Sequence, residues 1–321
     1  MSDPSALMVT RREALLRLTS TAVAAAAVGT GIAVFHDRRT VSASAATIPD
    51  WRVPLPGAGS AAAARGGEPT ANVRRAVAAM GGMDRFIRKG DTVLVKPNVG
   101  WDRLPEQAAN TDPQVVAEIV RLCRAAGARR VVVTDISCND PRRCFARSGI
   151  EAAATAAGAE VIEARRLRLL AAALPGLSAG LEVIEELLRA DRVINVPVVK
   201  HHSLSHVTLG MKNWLGVLGK GRNRLHQDIN RALAELGATF RPTLTVVDAT
   251  RVLAANGPVG GSLADVLPVG AVLAATDPVL ADAWGASLLG HKPADLGFIA
   301  EAERRGVGRA DVRLVKELGM A

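Results

Sequence analysis

The sequence predicts an α/β protein: a mostly parallel sheet with helices on both faces. Three observations carry that expectation. Short runs rich in Val, Ile and Leu recur along the chain, helical stretches separate them, and polar residues gather where the runs end. Runs that are apolar at every position suit strands covered on both faces, and intervening helices supply the crossovers of parallel strands. With 321 residues, 49% of them hydrophobic, the chain can bury a sizeable core, which excludes disorder of the whole.

The first 45 residues read as a targeting segment. Arg11-Arg12 precedes a mildly apolar, Ala/Gly-rich run from Thr21 to Phe35, and small residues Ala43-Ser44-Ala45 follow before Ala46. This resembles a twin-arginine signal peptide, whose partner is the twin-arginine translocation machinery and whose destination is periplasmic or extracytoplasmic. The apolar stretch falls short of the roughly 20 residues of a membrane span. His36-Asp37-Arg38-Arg39 beside it leaves open an uncleaved anchor, the one membrane contact expected, and a chance arginine pair is the bland alternative. Residues 46–70, rich in Ala, Gly and Pro, read as a linker, and 71–321 as a single α/β domain.

Within that domain the elements follow in order. Asp91 to Asn98 is a strand, and Thr111-Asp112-Pro113 offers an N-cap and a first-turn proline for a helix ending near Gly127. Arg129 to Ser137 is a second strand, Phe145 to Ala157 a helix stopped by Gly158, and Glu160 to Ala164 a third strand. Leu181 to Ala190 reads as a helix before the apolar run Val193 to Val199, a buried strand ending in Lys200. Thr208 to Leu218 and Gln227 to Leu236 read as helices, Leu244 to Asp248 and Ala271 to Thr276 as strands, and Pro278 to Leu289 and Ala294 to Arg305 as helices. Lys96, Asn98, Asp135, Lys200, Asp248 and Asp277 thereby fall at strand carboxyl ends, where open α/β sheets bind ligands. Asp277, before Pro278, is more simply an N-cap.

Composition removes several classes of function. There is no tyrosine, so acid–base work falls to His, Asp, Glu, Lys or Cys. The net charge of +9 is spread through helices and aromatics make up 3%, so neither a basic run nor a stacking platform marks a nucleic-acid surface. Cys123, Cys138 and Cys144 are too few and wrongly spaced for a four-cysteine cluster or zinc site. Cys138 and Cys144 either pair, if the compartment is oxidising, or stay free.

Residues 195 to 226 carry the strongest functional signal. They hold four of the six histidines and three of only seven lysines in a chain that otherwise writes positive charge as arginine. A lysine kept where arginine is the habit suits a compact or neutralisable amine. His202 and His206, four apart, would share a helix face in a metal-chelating arrangement, with His201 and His226 as nearby candidates and a distant Asp135 or Asp248 supplying carboxylate. Position 203 is Ser, so the metalloprotease pattern is absent. The other reading is that these histidines hydrogen-bond loop backbone or an anion. Lys200, Lys212 and Lys220, among Gly210, Gly216, Gly219 and Gly221, suit a phosphate or carboxylate, although the glycines equally serve tight packing. Asn256-Gly257-Pro258 opens a glycine-rich loop that either closes over a ligand or only turns the chain.

Lys96-Pro97-Asn98, Thr111-Asp112-Pro113, Lys200-x-His202, Lys212-Asn213, His226, Asp248, Gly257-Pro258 and Asp277-Pro278, in that order, resemble the family called domain of unknown function 362 over about residues 90–290. The resemblance implies an α/β core and a shared site of Lys200, His202, Lys212, Asn213 and His226, leaving out His201 and His206. Some members append a ferredoxin module; this chain lacks the cysteines for one, so no iron–sulfur cluster of its own is expected. The expectation is an exported enzyme, dependent on a metal or cofactor, for redox or isomerisation chemistry. Lys200, Lys212 and Asp248 would be catalytic; Lys96, Asn98, Asn213 and Gly257 would bind a cofactor; His202, His226, His206 and Asp135 would hold a metal. The alternative is a non-catalytic binding protein for a small-molecule anion or a metal complex.

Overall fold

Alternate residues of Thr92–Pro97 go to opposite apolar cores: Val93 and Val95 to one, Leu94 to the other. A strand's period of two delivers side chains to both faces, so a continuous apolar run needs cover on each. The computed structural model describes residues 45–54, 60–177 and 179–319. The expected signal peptide lies outside them except for Ala45. Among the described residues no helix is long and apolar enough to cross a membrane.

In chain order the strands are β1 (Ala46–Thr47), β2 (Ala61–Arg65), β3 (Thr92–Pro97), β4 (Arg130–Val133), β5 (Glu160–Val161), β6 (Leu169–Ala173) and β7 (Glu182–Ile184). They continue as β8 (Arg192–Val196), β9 (Val198–His202), β10 (His206–Thr208), β11 (Leu244–Leu253), β12 (Val266–Leu267), β13 (Ala271–Ala275) and β14 (Lys316–Leu318). β1, β6 and β7 form a small sheet, and the rest form an 11-stranded one whose spine runs β14-β2-β13-β11-β8-β3-β4-β5. From β11 to β5 every pairing in the spine is parallel; β13 alone in it runs against its neighbours. The expected fold class is the observed one.

Helices Pro69–Ala79 and Pro113–Ala125 feed one core through Val73, Val77, Val116 and Ile119. Helices Ile229–Thr239, Pro278–Leu288 and Gly297–Arg304 feed the other through Leu233, Trp284 and Phe298. At Pro113–Ala125 the Asp112 carboxylate accepts from Gln114 N at 2.8 Å, and Asp277 caps Pro278–Leu288 by accepting from Val279 N and Leu280 N at 2.9 Å each.

Several elements differ from the sequence expectation. Residues 61–65, placed in a linker, form β2 between β13 and β14, because an alanine run fits a strand buried on both sides without showing any alternation. Leu181 to Ala190 splits into β7 and a single turn, Glu185–Leu188. Phe145 to Ala157 is two helices, Pro141–Arg147 and Ile150–Ala156, parted at Gly149 with φ of 72°. The expected strand to Lys200 is interrupted at Pro197, beyond which β9 and β10 form an antiparallel hairpin. A proline cannot donate to the ladder, so the pairing changes partners there. Thr208 to Leu218 is a short helix, Gly210–Asn213, continued as a 3-10 turn, and Gln227 to Leu236 becomes a 3-10 stretch, Arg222–Asp228, leading into Ile229–Thr239.

Candidate functional site

The carboxyl ends of β3 and β4, the β9–β10 hairpin and residues 210–226 surround a cavity of about 240 Å³. Its floor is ionic. Lys96, 0% exposed, places Nζ 2.7 Å from Asp135 Oδ1, while Asp135 Oδ2 accepts from Val99 N at 2.7 Å. Lys96 Nζ also donates to Asn213 Oδ1 at 2.9 Å and to Pro97 O at 2.8 Å. Asn213 is fixed from its other end, Nδ2 donating to Asn195 Oδ1 at 2.8 Å. Its Oδ1 also accepts from Asn98 Nδ2 at 3.0 Å, and Asn98 Oδ1 accepts from Lys200 Nζ at 3.0 Å. One chain of contacts therefore links Asp135, Lys96, Asn213, Asn98 and Lys200, in which Asp135 Oδ1 has the ion pair with Lys96 as its single contact and no well-formed hydrogen bond.

Gly216 closes over this floor. A Cβ there would lie 1.9 Å from Asp135 Oδ1 and 2.7 Å from Lys96 Nζ, so no side chain fits. The other glycines of the segment pack likewise: a Cβ on Gly210 would meet Asp282 Oδ1 at 2.8 Å and one on Gly219 would meet Leu169 Cδ1 at 2.7 Å. They serve close packing rather than an open phosphate loop, and Lys220 does not line the cavity.

The walls are cationic or donating. Lys212, 6% exposed, lines the cavity and forms no hydrogen bond or ion pair among the described residues. Arg222 donates to Ile136 O at 3.0 Å, Leu215 O at 3.2 Å and Ser137 O at 3.3 Å, so carbonyls hold its guanidinium and leave its charge uncompensated. Burial holds Lys200 down at about 7, reinforced by the charge of Lys212, and holds Lys212 down at about 8, reinforced by Arg222. Burial also lowers Lys96, against the pull of Asp135. The buried Thr208, which lines the cavity, has a hydroxyl without a partner among the described residues.

His202 settles a tautomer. Its Nδ1 accepts from Leu204 N at 3.1 Å and Ser205 N at 3.3 Å. Burial first, then Lys212 and Lys200, press its basicity down to about 3, so the ring is neutral. A neutral imidazole whose Nδ1 accepts carries its proton on Nε2 and is there a donor. A metal-bound histidine has the opposite arrangement, its free nitrogen donating to a carbonyl or carboxylate. His226 lines the cavity, is itself lowered by burial and by Lys212, and places Nδ1 3.3 Å from Asn223 O.

The expected metal set does not assemble. Among the described residues no three His, Cys, Asp or Glu side chains gather as ligands. Asp135 is taken by Lys96, and His206, exposed with φ of 62°, faces His291 with ring centroids 6.0 Å apart. The helical spacing argument fails because His202 and His206 are cross-strand partners in a hairpin. Asp248 is also misplaced by the sequence reading. It lies inside β11, not at its end, is 1% exposed, and accepts from Asp112 N, Thr250 N and Thr250 Oγ1 at 2.7, 2.9 and 2.7 Å. It does not line the cavity. Gly257 does not either; its N donates to His201 Nδ1 at 3.2 Å, a Cβ on it would strike His201 O at 2.0 Å, and its neighbour Pro258 is what reaches the cavity.

Lys96, Asn98, Asp135, Lys200, His202, Lys212, Asn213 and His226, by contrast, do come together. Sequence reasoning passed over Arg222 and Trp101, and gave no site role to Cys138 or to Thr208, the latter part of the family-like motif Lys200-x-His202-x-Leu204-Ser205-x-x-Thr208; all four line the cavity. Arg222 follows Gly219-Lys220-Gly221 within the basic segment, a signal eclipsed by the lysines. Cys138 and Cys144 are both free. Elsewhere a depression of about 230 Å³ lined by Arg52, Arg241 and Asp277 holds none of these groups.

Residues 93–287 match the family described as Domain of unknown function (DUF362). The chain belongs to this family. A curated relative, Thylakoid-associated protein sll1697 of Synechocystis sp., is 30% identical over 245 residues, 74% of this chain and 75% of that protein. Among solved structures, the lactate racemase apoprotein from Thermoanaerobacterium thermosaccharolyticum superposes with a TM-score of 0.39 at 14% identity, over 78% of this chain and 60% of that one.

Proposed function

We propose that this DUF362 protein binds a small organic anion, through a carboxylate or phosphate, in the cavity between β3, β4 and the β9–β10 hairpin, and carries out proton transfer on it. One observation carries the reading. Lys96, Lys200, Lys212 and Arg222 meet around about 240 Å³ with Asp135 as the one carboxylate among the lining residues, and the Lys212 amine has no partner among the described residues. Such an excess of positive charge in a low-dielectric space favours an anion.

The roles divide by geometry. Lys212, Arg222 and the Nε2–H of His202 hold the anionic group. Lys200, poised at about 7 and steadied by Asn98, accepts or gives a proton near neutral pH, where a group of that basicity is most effective. Asn213 positions Lys96 and Asn98. The donor set suits an anion rather than a metal ion, and no step here runs through a metal.

Arg11-Arg12 and the weakly apolar run after them support delivery by the twin-arginine route, and the description of the relative as thylakoid-associated supports a place at a membrane. The central test is calorimetric titration of the purified protein with oxalate and inorganic phosphate. Saturable binding that is lost in Lys212→Met and Arg222→Met is the expected result; no binding of either anion would remove the reading.

A further inference from the structure

One nucleophile of the cavity is left unused by proton transfer and anion binding. Cys138 is free and exposed, and it lines the same space as Lys200, Lys212 and Arg222. Its backbone is pinned, N donating to Gly100 O at 2.9 Å, and Gly100 is also a lining residue. A Cβ on Gly100 would lie 3.9 Å from the Cys138 sulfur, an ordinary contact, so the sulfur sits close beside this lining residue. Cys144 is different: it is buried, its sulfur lies 3.7 Å from Gly100 O, and it does not reach the cavity. Nor does Cys123, fully buried in the apolar core.

A cysteine beside cations is still only a side chain unless something marks where its partner sits. The same cavity offers a polar group that points to a ligand: Thr208 is 5% exposed, lines it, and its hydroxyl has no partner among the described residues. A buried hydroxyl left unpaired has a cost that a ligand oxygen would remove.

We propose that Cys138 is the covalent capture residue of this cavity, and that the organic anion it takes carries an aldehyde or ketone carbon next to its anionic group. This rests on the anion-binding reading and narrows its substrate class. The sulfur adds to the carbonyl carbon, a C–S bond forms, and the π pair of the C=O bond moves onto oxygen. The thiol proton passes through the Lys200 amine to that oxygen, giving a hydroxyl. Nothing is oxidised, nothing leaves, and the addition reverses by the same path. Lys200 is arranged for this, since it donates to Asn98 Oδ1 and Ala109 O and so keeps one tetrahedral position on Nζ for a lone pair or a third proton.

The test compares two anions of similar size, glyoxylate with an electrophilic carbonyl and oxalate without one, by calorimetry on the full chain and on Cys138→Ser. The expected result is that the substitution weakens glyoxylate about tenfold or more relative to oxalate, which corresponds to about 1.4 kcal/mol. Equal effects on the two anions, or no binding of glyoxylate, would overturn the capture role while leaving anion binding in place, whereas failure of the unsubstituted protein to bind oxalate and phosphate alike would overturn the underlying reading. Iodoacetate gives a second measurement. Cys138 should be alkylated faster by it than by neutral iodoacetamide, and oxalate should slow the reaction. A preference for iodoacetamide, or a glyoxylate adduct fixed on Lys200 or Lys212 by borohydride, would also overturn the assignment.

Discussion

Lys96 Nζ stands 2.7 Å from Asp135 Oδ1, the lysine on β3 and the aspartate two residues past the end of the parallel neighbour β4, and Gly216 shuts the pair from solvent. Taking two charges out of water is costly, so the pair is stable only because each has further hydrogen-bond partners: Asn213 and Pro97 for the lysine, Val99 N for the carboxylate. Lys96→Met should destabilise the fold by about 3–5 kcal/mol by leaving Asp135 uncompensated. The double variant Lys96→Met with Asp135→Asn should recover much of that loss in urea denaturation. Gly216→Ala should damage stability and anion binding together, because its methyl group would displace the Asp135 carboxylate.

Anion affinity should weaken with rising pH. Lys200 at about 7 and Lys212 at about 8 are charged below those values and neutral above them. The ligand favours the ammonium forms, so protons are taken up on binding where the free amines are neutral. Calorimetry with oxalate should give affinity that levels off below about pH 6.5 and is at least about tenfold weaker at about pH 9. A flat profile would mean that neither amine faces the bound anion.

His202 and His206 should separate cleanly. Deleting the Nε2–H donor in His202→Ala should weaken oxalate about tenfold or more, within the range for a hydrogen bond to a charged group. His206→Ala, at an exposed position beside His291, should leave the affinity unchanged. Loss of binding in both variants, with metal retained only by the parent protein, would restore the metal arrangement that the hairpin argues against.

Asp248 should report on stability and not on the ligand. Burial, and then the nearby charge of Asp112, raise it to about 6 from 3.8. A carboxyl whose folded value lies above its unfolded one favours the folded state in its protonated form. That contribution is complete below about 3.8 and is lost as pH rises through about 6. Asp248→Asn should therefore flatten this part of the stability profile in urea titrations across that window. Its oxalate affinity should match the parent's, since Asp248 lies away from the cavity.

Export can be tested independently of the fold. Replacing Arg11 and Arg12 by lysine preserves charge but not the guanidinium pair, and should retain the protein in the cytoplasm. Unchanged delivery in fractionated cells would exclude the twin-arginine route.

The sequence by itself determined the class of fold and most of the site's membership. Val93 to Val95 and Val193 to Val196 are apolar at successive positions or nearly so, which only a doubly covered strand tolerates, and the polar residues that follow such strands had to gather at one edge of the sheet. Lys96, Asn98 and Lys200 were legible for that reason, His202, Lys212 and His226 through the clustering of histidines and lysines, and Asn213 through the family resemblance. Chemistry that depends on distance through space was not. Spacing along the chain made His202 and His206 look like chelating partners, whereas Pro197 redirects the strand into a hairpin and backbone N–H groups take up His202 Nδ1. Asp248 looked like a strand end because its extended run continues through polar residues, Thr250 and Arg251, that the apolar pattern cannot follow. Cys138 and Arg222, 84 residues apart, share a wall only because the loops after β4 and after Gly219 fold onto the same edge. Pairing between strands fixes which residues are neighbours, and no periodicity within one strand contains that information.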